Sequence, residues 1–253
     1  MGDGPISIVA IPGAGDGLST VTDTAIHLAW LYRRRAPQQR ILLLSRRQPI
    51  PPGYGVKKHA NDAVWAVKQL GWEKSIWECN SAGGPVGQWV AVERPDLVRG
   101  LILTSSLHRV NEQTRQVFEH WLALIEDDRW EELAWNTIEL TYRPQTVNRY
   151  RSLMPLLGLA ARPRLYPLRL RHILLELLEV DNRDILPRIA CPTLVIGGED
   201  DPVIPAEIQR EMAELIPNSR LVLYAGYRHG NDVENPAYQK EVKRFVDSVL
   251  TGP

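Results

Sequence analysis

Cysteine is scarce in this chain, with two thiols, Cys79 and Cys191, among 253 residues. That count excludes a disulfide-stapled secreted scaffold and suits two buried thiols in a reducing compartment. Long apolar runs are also missing. The longest, around Ile8–Ile11 and Ile41–Leu44, fall far short of the ~20 residues needed to cross a bilayer. Neither sign of charge is in excess: 30 Lys and Arg balance 30 Asp and Glu, so no global field draws the chain onto nucleic acid or an anionic membrane. The first residues, Met1–Pro5, have neither the basic nor the apolar region of a secretory signal, and the expected location is cytoplasmic. No Cys/His cluster has metal-ligand spacing, and the glycine-rich Ile11–Gly17 stretch lacks the lysine of a phosphate-binding loop. Neither a metal nor a cofactor is expected.

What is present is an ordinary globular composition, 44% apolar and 24% charged, in a chain long enough for one large or two small domains. Short β-rich runs at Ile6–Ile11, Ile41–Leu44, Ser75–Cys79, Gly100–Thr104, Thr193–Ile196 and Arg220–Tyr224 alternate with amphipathic stretches. Those stretches, Val21–Arg35, Lys57–Leu70, Gly84–Glu93, Ala206–Leu215 and Pro236–Leu250, repeat apolar residues three or four apart. Strands separated by helices imply parallel pairing in a wound α/β sheet of about six strands.

The rhythm breaks between Arg109 and Asp181, which is helical in pattern, carries Trp121, Trp130 and Trp135, and shows no convincing strand. It is expected to be a helical lid (109–181) inserted into a core formed by 1–108 and 182–253. Its charge is segregated: Arg109–Leu140 holds eight acids, whereas Thr141–Leu175 holds seven arginines and no acid. Two readings stand, solvated helix faces that pair with the acidic half, or a lid that attracts an anionic substrate.

The chemically informative stretch runs Ser75-Ile-Trp-Glu-Cys79-Asn80-Ser81-Ala82-Gly83-Gly84, a strand, a sharp turn and a helix. A serine at such a turn takes a strained backbone and needs small residues two positions before and after it; Cys79 and Gly83 supply them. Downstream, Arg94–Leu103 feeds a proline-started turn into the next strand. With these features the chain resembles the α/β-hydrolase superfamily, in particular its single-domain esterase, lactonase and cofactor-free haloperoxidase-like branch. Cys79 stands where that family's G-x-S-x-G pattern has its first glycine.

The resemblance extends to two further segments. Gly198-Glu-Asp-Asp201-Pro-Val-Ile-Pro205 matches the family's G-x-x-D-x-x-x-P pattern and implies Asp201 as the acid that orients a histidine. An alternative reading has Asp201 capping the helix that follows. Gly226-Tyr-Arg228-His229, followed by Glu234 and Pro236, matches G-x-G-H-x-x-x-x-E-x-P and implies His229 as the base, with Arg228 in place of a glycine. The order Ser81, Asp201, His229 is that of the hydrolase fold. By the same resemblance, the developing oxyanion would meet the backbone N–H groups of Ala82 and Ala14. The first strand begins so early that the family's usual N-terminal antiparallel hairpin is expected to be absent.

Three residues have open roles: Glu78, as a buried partnered acid or a second acid near the pocket, and Arg46 and Arg47, as pocket rim or loop packing. The implied activity is hydrolysis of an ester, lactone or thioester of a medium-sized, partly apolar small molecule through an acyl-enzyme. Alternatives are cofactor-independent C–C cleavage, cyclisation or decarboxylation with His229 as base, and a non-catalytic ligand-binding descendant. A monomer or homodimer is expected.

Overall fold

The computed structural model describes residues 1–32, 38–151 and 168–251. Six strands form one sheet: β1 (Ile6–Ile11), β2 (Gln39–Leu43), β3 (Ser75–Asn80), β4 (Val98–Thr104), β5 (Thr193–Gly198) and β6 (Ser219–Tyr224). Their order is β2-β1-β3-β4-β5-β6, and every pair is parallel. Among the described residues the expected six-stranded parallel sheet is therefore present.

Parallel sheets are covered on both faces, so their strands are apolar on both sides. In β3 the alternation is explicit: Trp77 and Cys79 join one core with α2 (Val56–Gln69) and α3 (Gly84–Glu93). Ile76 turns to the opposite core, with Phe245 and Val246 of the C-terminal helix (Tyr238–Thr251). The remaining helices are α1 (Ala25–Tyr32) and, between β4 and β5, α4 (Glu112–Glu126), α5 (Trp130–Thr141), α6 (Pro144–Tyr150) and α7 (Arg169–Leu178). Beyond β5 come α8 (Ala206–Leu215), the short α9 (Asn231–Glu234) and α10 (Tyr238–Thr251). Helix α1 starts four residues later than Val21, because Thr20 and Asp23 close a hydrogen-bonded turn there.

The helical segment leaves and rejoins the sheet at one place, where Arg109 and Asp181 form an isolated antiparallel bridge. Its Phe118, Trp121, Leu133, Ile173 and Leu174 pack in one cluster with Ala82, Leu107, Val203 and Ile208 from the rest of the chain. Residues 152–167 of the expected lid, with Arg162 and Arg164, lie outside the described residues. Charge pairing between its two halves holds for Arg171 and Glu126, 3.1 Å apart, but not for Arg143 and Arg169. Arg143 pairs with Glu234 and lies over the Tyr227 ring, and Arg169 is buried against Asp16. Acids such as Glu132 take local partners instead, here Arg129 at the N-cap of α5.

Both cysteines are free; Cys79 is buried and Cys191 only partly so. Burial pushes both thiols above their ordinary range. Among the described residues, no helix is long and apolar enough to cross a membrane.

Candidate active site

Parallel strands deliver their C-terminal ends to one edge of the sheet, and ligands of open α/β sheets bind there. At that edge, β3 ends in Asn80 and the chain turns at Ser81, whose φ of 46° is in the left-handed region that a side chain disfavours. Small neighbours permit the turn. A Cβ on Gly83 would stand 2.5 Å from Ile11 O, and one on Gly84 would meet Ser106 Oγ at 1.7 Å. Cys79 is tolerated in place of the pattern's glycine because it points into the core, where Gly87 makes room: a Cβ there would lie 2.4 Å from Cys79 Sγ.

The loops after β5 and β6 bring the other two residues to this point. His229 Nε2 lies 3.0 Å from Ser81 Oγ, and His229 Nδ1 lies 2.8 Å from Asp201 Oδ2. A carboxylate only accepts hydrogen bonds, so Nδ1 carries the proton and Nε2 is left to accept from the serine hydroxyl. Asp201 also turns its own loop, with Oδ1 accepting from the N–H groups of Val203 and Ile204. It does not cap α8, whose first turn has no side-chain cap. Glu199 and Asp200 face outward, Glu199 pairing with Arg210 and Asp200 accepting from Gly226 N–H.

The loop carrying His229 is tied from several sides. Ser105, the second strained residue of this edge with φ 44°, donates to His229 O at 2.9 Å and accepts from Asn231 Nδ2 at 2.7 Å. Arg228 donates to Glu139 O at 2.6 Å, and Gly230 N–H donates to Thr141 O at 2.8 Å. The arginine in the glycine position thus binds the histidine loop to α5. Ser105 and Asn231 carried no sequence signal, because their partners are backbone and amide groups far away in the chain.

Asp232 belongs to the same neighbourhood and accepts from Asn80 Nδ2 at 3.2 Å. Burial, reinforced by the nearby charge of Glu78, raises its carboxyl to about 6 despite opposition from His229. For His229 itself burial disfavours the charged ring, but the charge and hydrogen bond of Asp201, helped by Asp232, outweigh it and hold the imidazole above its ordinary value.

A cavity of about 490 Å³ opens onto Ser81 and His229. Pro12–Gly15 form one wall, Phe118, Trp121, Leu133 and Leu170 another, and Glu78 and Asp232 contribute carboxylates. Ala14 borders this cavity, and Ala82, the residue after Ser81, is buried. Arg46, buried at 7% exposure, donates to backbone carbonyls of both loops and faces Asp16. Arg47 lies at the surface, bonded to Tyr54. Among the described residues, no group of three or more His, Cys, Asp or Glu could hold a metal ion.

The sheet and its helices have the α/β-hydrolase fold. The chain belongs to the hydrolase family described as serine aminopeptidase, S33, whose model matches residues 57–235. It is 27% identical over 214 residues, 76% of each chain, to a Klebsiella pneumoniae protein whose name proposes a carbamate hydrolase, RutD. An enol-lactonase from Burkholderia xenovorans superposes with a TM-score of 0.79 at 19% identity, over 97% of this chain and 92% of the other. A hydrolase from Pseudomonas aeruginosa does so with a TM-score of 0.79 at 23% identity, over 99% and 92%.

Proposed function

We propose that the protein is a serine hydrolase that cleaves an ester, lactone or thioester of a medium-sized, partly apolar molecule through an acyl-enzyme. The observation that carries this reading is the continuous hydrogen-bonded chain from Ser81 through His229 to Asp201 at the mouth of a cavity. Ser81 Oγ attacks the carbonyl carbon while its proton passes to His229 Nε2, and Asp201 stabilises the imidazolium that results. The tetrahedral oxyanion is received by the N–H groups of Ala14 and Ala82. Collapse expels the alcohol or thiol, which takes the proton from His229, and a water activated by the same nitrogen then releases the acid.

The cavity volume of about 490 Å³ suits a small molecule rather than a polymer end, and its apolar walls fit an acyl chain or ring. In this reading the segment 109–181 is the lid, because Phe118, Trp121, Leu133 and Leu170 on three of its helices face the cavity. The names of relatives, an enol-lactonase and an esterase/perhydrolase among them, agree with acyl chemistry. The test is pre-steady-state hydrolysis of p-nitrophenyl esters. A burst of one p-nitrophenol per protein is expected, with Ser81→Ala lowering kcat by roughly 10⁴-fold or more. Turnover of any substrate that survives in folded Ser81→Ala would instead assign His229 to base chemistry without an acyl-enzyme.

A further inference from the structure

The two N–H groups assigned to the oxyanion each belong to a planar peptide whose carbonyl points the opposite way. Whatever holds the carbonyl therefore aims the N–H. The Ser81–Ala82 peptide is held by Ser106, whose hydroxyl donates to Ser81 O at 2.8 Å. The Gly13–Ala14 peptide is held by Asp16 N–H, which donates to Gly13 O at 3.2 Å, and by Arg46, whose Nη1 reaches Gly13 O at 3.4 Å and Pro12 O at 3.3 Å. The other arm of the same guanidinium, Nη2, donates to Ala82 O at 2.8 Å. One planar fork thus spans both loops.

The fork is itself fixed. Asp16, in the turn that follows Gly13, accepts from Arg46 N–H at 3.0 Å and faces its Nη1 at 3.6 Å. Arg169, at the start of α7, donates to Asp16 Oδ2 at 2.6 Å and to Arg46 O at 2.9 Å. The side chains of Arg46, Asp16 and Arg169 are all at most 4% exposed. Gly17 presses on α7 so closely that a Cβ there would stand 2.6 Å from Leu170 Cα. A buried charge donating to a carbonyl also polarises that peptide and strengthens its N–H as a donor.

We propose that Arg46 is a positioning residue of the acyl-transfer site, setting the spacing between the Ala14 and Ala82 amides and the polarity of the Ala14 one, with Asp16 and Arg169 coupling that spacing to helix α7. The inference rests on the acyl-transfer reading above. It predicts that the damage from losing Arg46 falls on the reaction step and not on ligand binding, because the guanidinium touches loop carbonyls from behind the cavity.

The experiment is the time course of fluorophosphonate labelling, in which Ser81 Oγ forms a bond to phosphorus, fluoride leaves, and the hydroxyl proton goes to His229. Saturation kinetics separate the binding constant KI from the bonding rate kinact. Wild type, Arg46→Met, Arg46→Lys and Ser106→Ala are compared after thermal melts establish folding. Arg46→Met is expected to lower kinact by roughly 10²-fold, the scale of a lost oxyanion donor, with KI within about threefold, and Ser106→Ala to lower it by about tenfold. Arg46→Lys, keeping the charge but not the fork, should recover part of the loss. If Arg46→Met does not fold, a reduced kinact at unchanged KI in Arg46→Lys carries the test. Unchanged kinact in a folded Arg46 variant, or a loss confined to KI, overturns the positioning role while leaving the acyl-transfer reading intact. Absence of any label on wild type overturns both.

Discussion

At the scale of single residues, the electrostatics around His229 lead to a directional pH effect. The ring acts as a base only when neutral, and Asp201 with Asp232 holds it above its ordinary value against burial. The acid limb of kcat/KM is therefore expected above the ~6.5 of an unperturbed histidine. Asp232→Asn removes a negative charge that favours the imidazolium, so the limb should move to lower pH, measurable as a full pH–rate profile of the two proteins. A limb that stays in place would show that Asp232 does not act on the ring. Residues of this kind were only partly legible. Ser81, Asp201 and His229 lie in motifs whose spacing can be read along the chain. Asp232 lies within one of those segments yet carries no signal of its own, because Asn80, which bonds it, is 152 positions away.

At the scale of elements, the turn from β3 into α3 depends on close backbone approach. Gly83→Ala would set a methyl against the backbone oxygen of Ile11, which cannot move without shifting β1. A loss of about 1–3 kcal/mol is expected from such overpacking, read by chemical denaturation. The junction of the loop after β1 with α7 is more sensitive. Asp16→Asn leaves the buried Arg46 and Arg169 without their shared carboxylate. Breaking a buried pair in this way costs about 3–5 kcal/mol, so its unfolding midpoint should fall well below that of Gly83→Ala; equal midpoints would contradict that ranking. The elements themselves were legible to within a few residues, since two-sided apolar runs and three-to-four spacing survive in any context. Their partners were not. Seven arginines in one stretch look alike in sequence, and only packing sends Arg169 inward to Asp16 while Arg171 remains outside with Glu126.

At the scale of the whole molecule, a parallel sheet collects residues 81, 201 and 229 at one edge because each follows a strand, and side chains of the helices between β4 and β5 line the cavity there. The parallel sheet of about six strands could be inferred from the alternation of strand and helix patterns, whereas the strand order β2-β1-β3-β4-β5-β6 came only from the structure. The cavity could not be inferred, since its walls come from Pro12, Phe118, Leu133 and Leu170, residues indistinguishable in sequence from ordinary core.

The central claim, an activated serine at position 81, is tested most directly by intact mass after incubation with a fluorophosphonate. Wild type, Ser81→Ala and His229→Ala are compared as folded proteins. A single adduct on wild type, absent from Ser81→Ala and strongly slowed in His229→Ala, is the expected result. No adduct on folded wild type, or an equal adduct on Ser81→Ala, would contradict it.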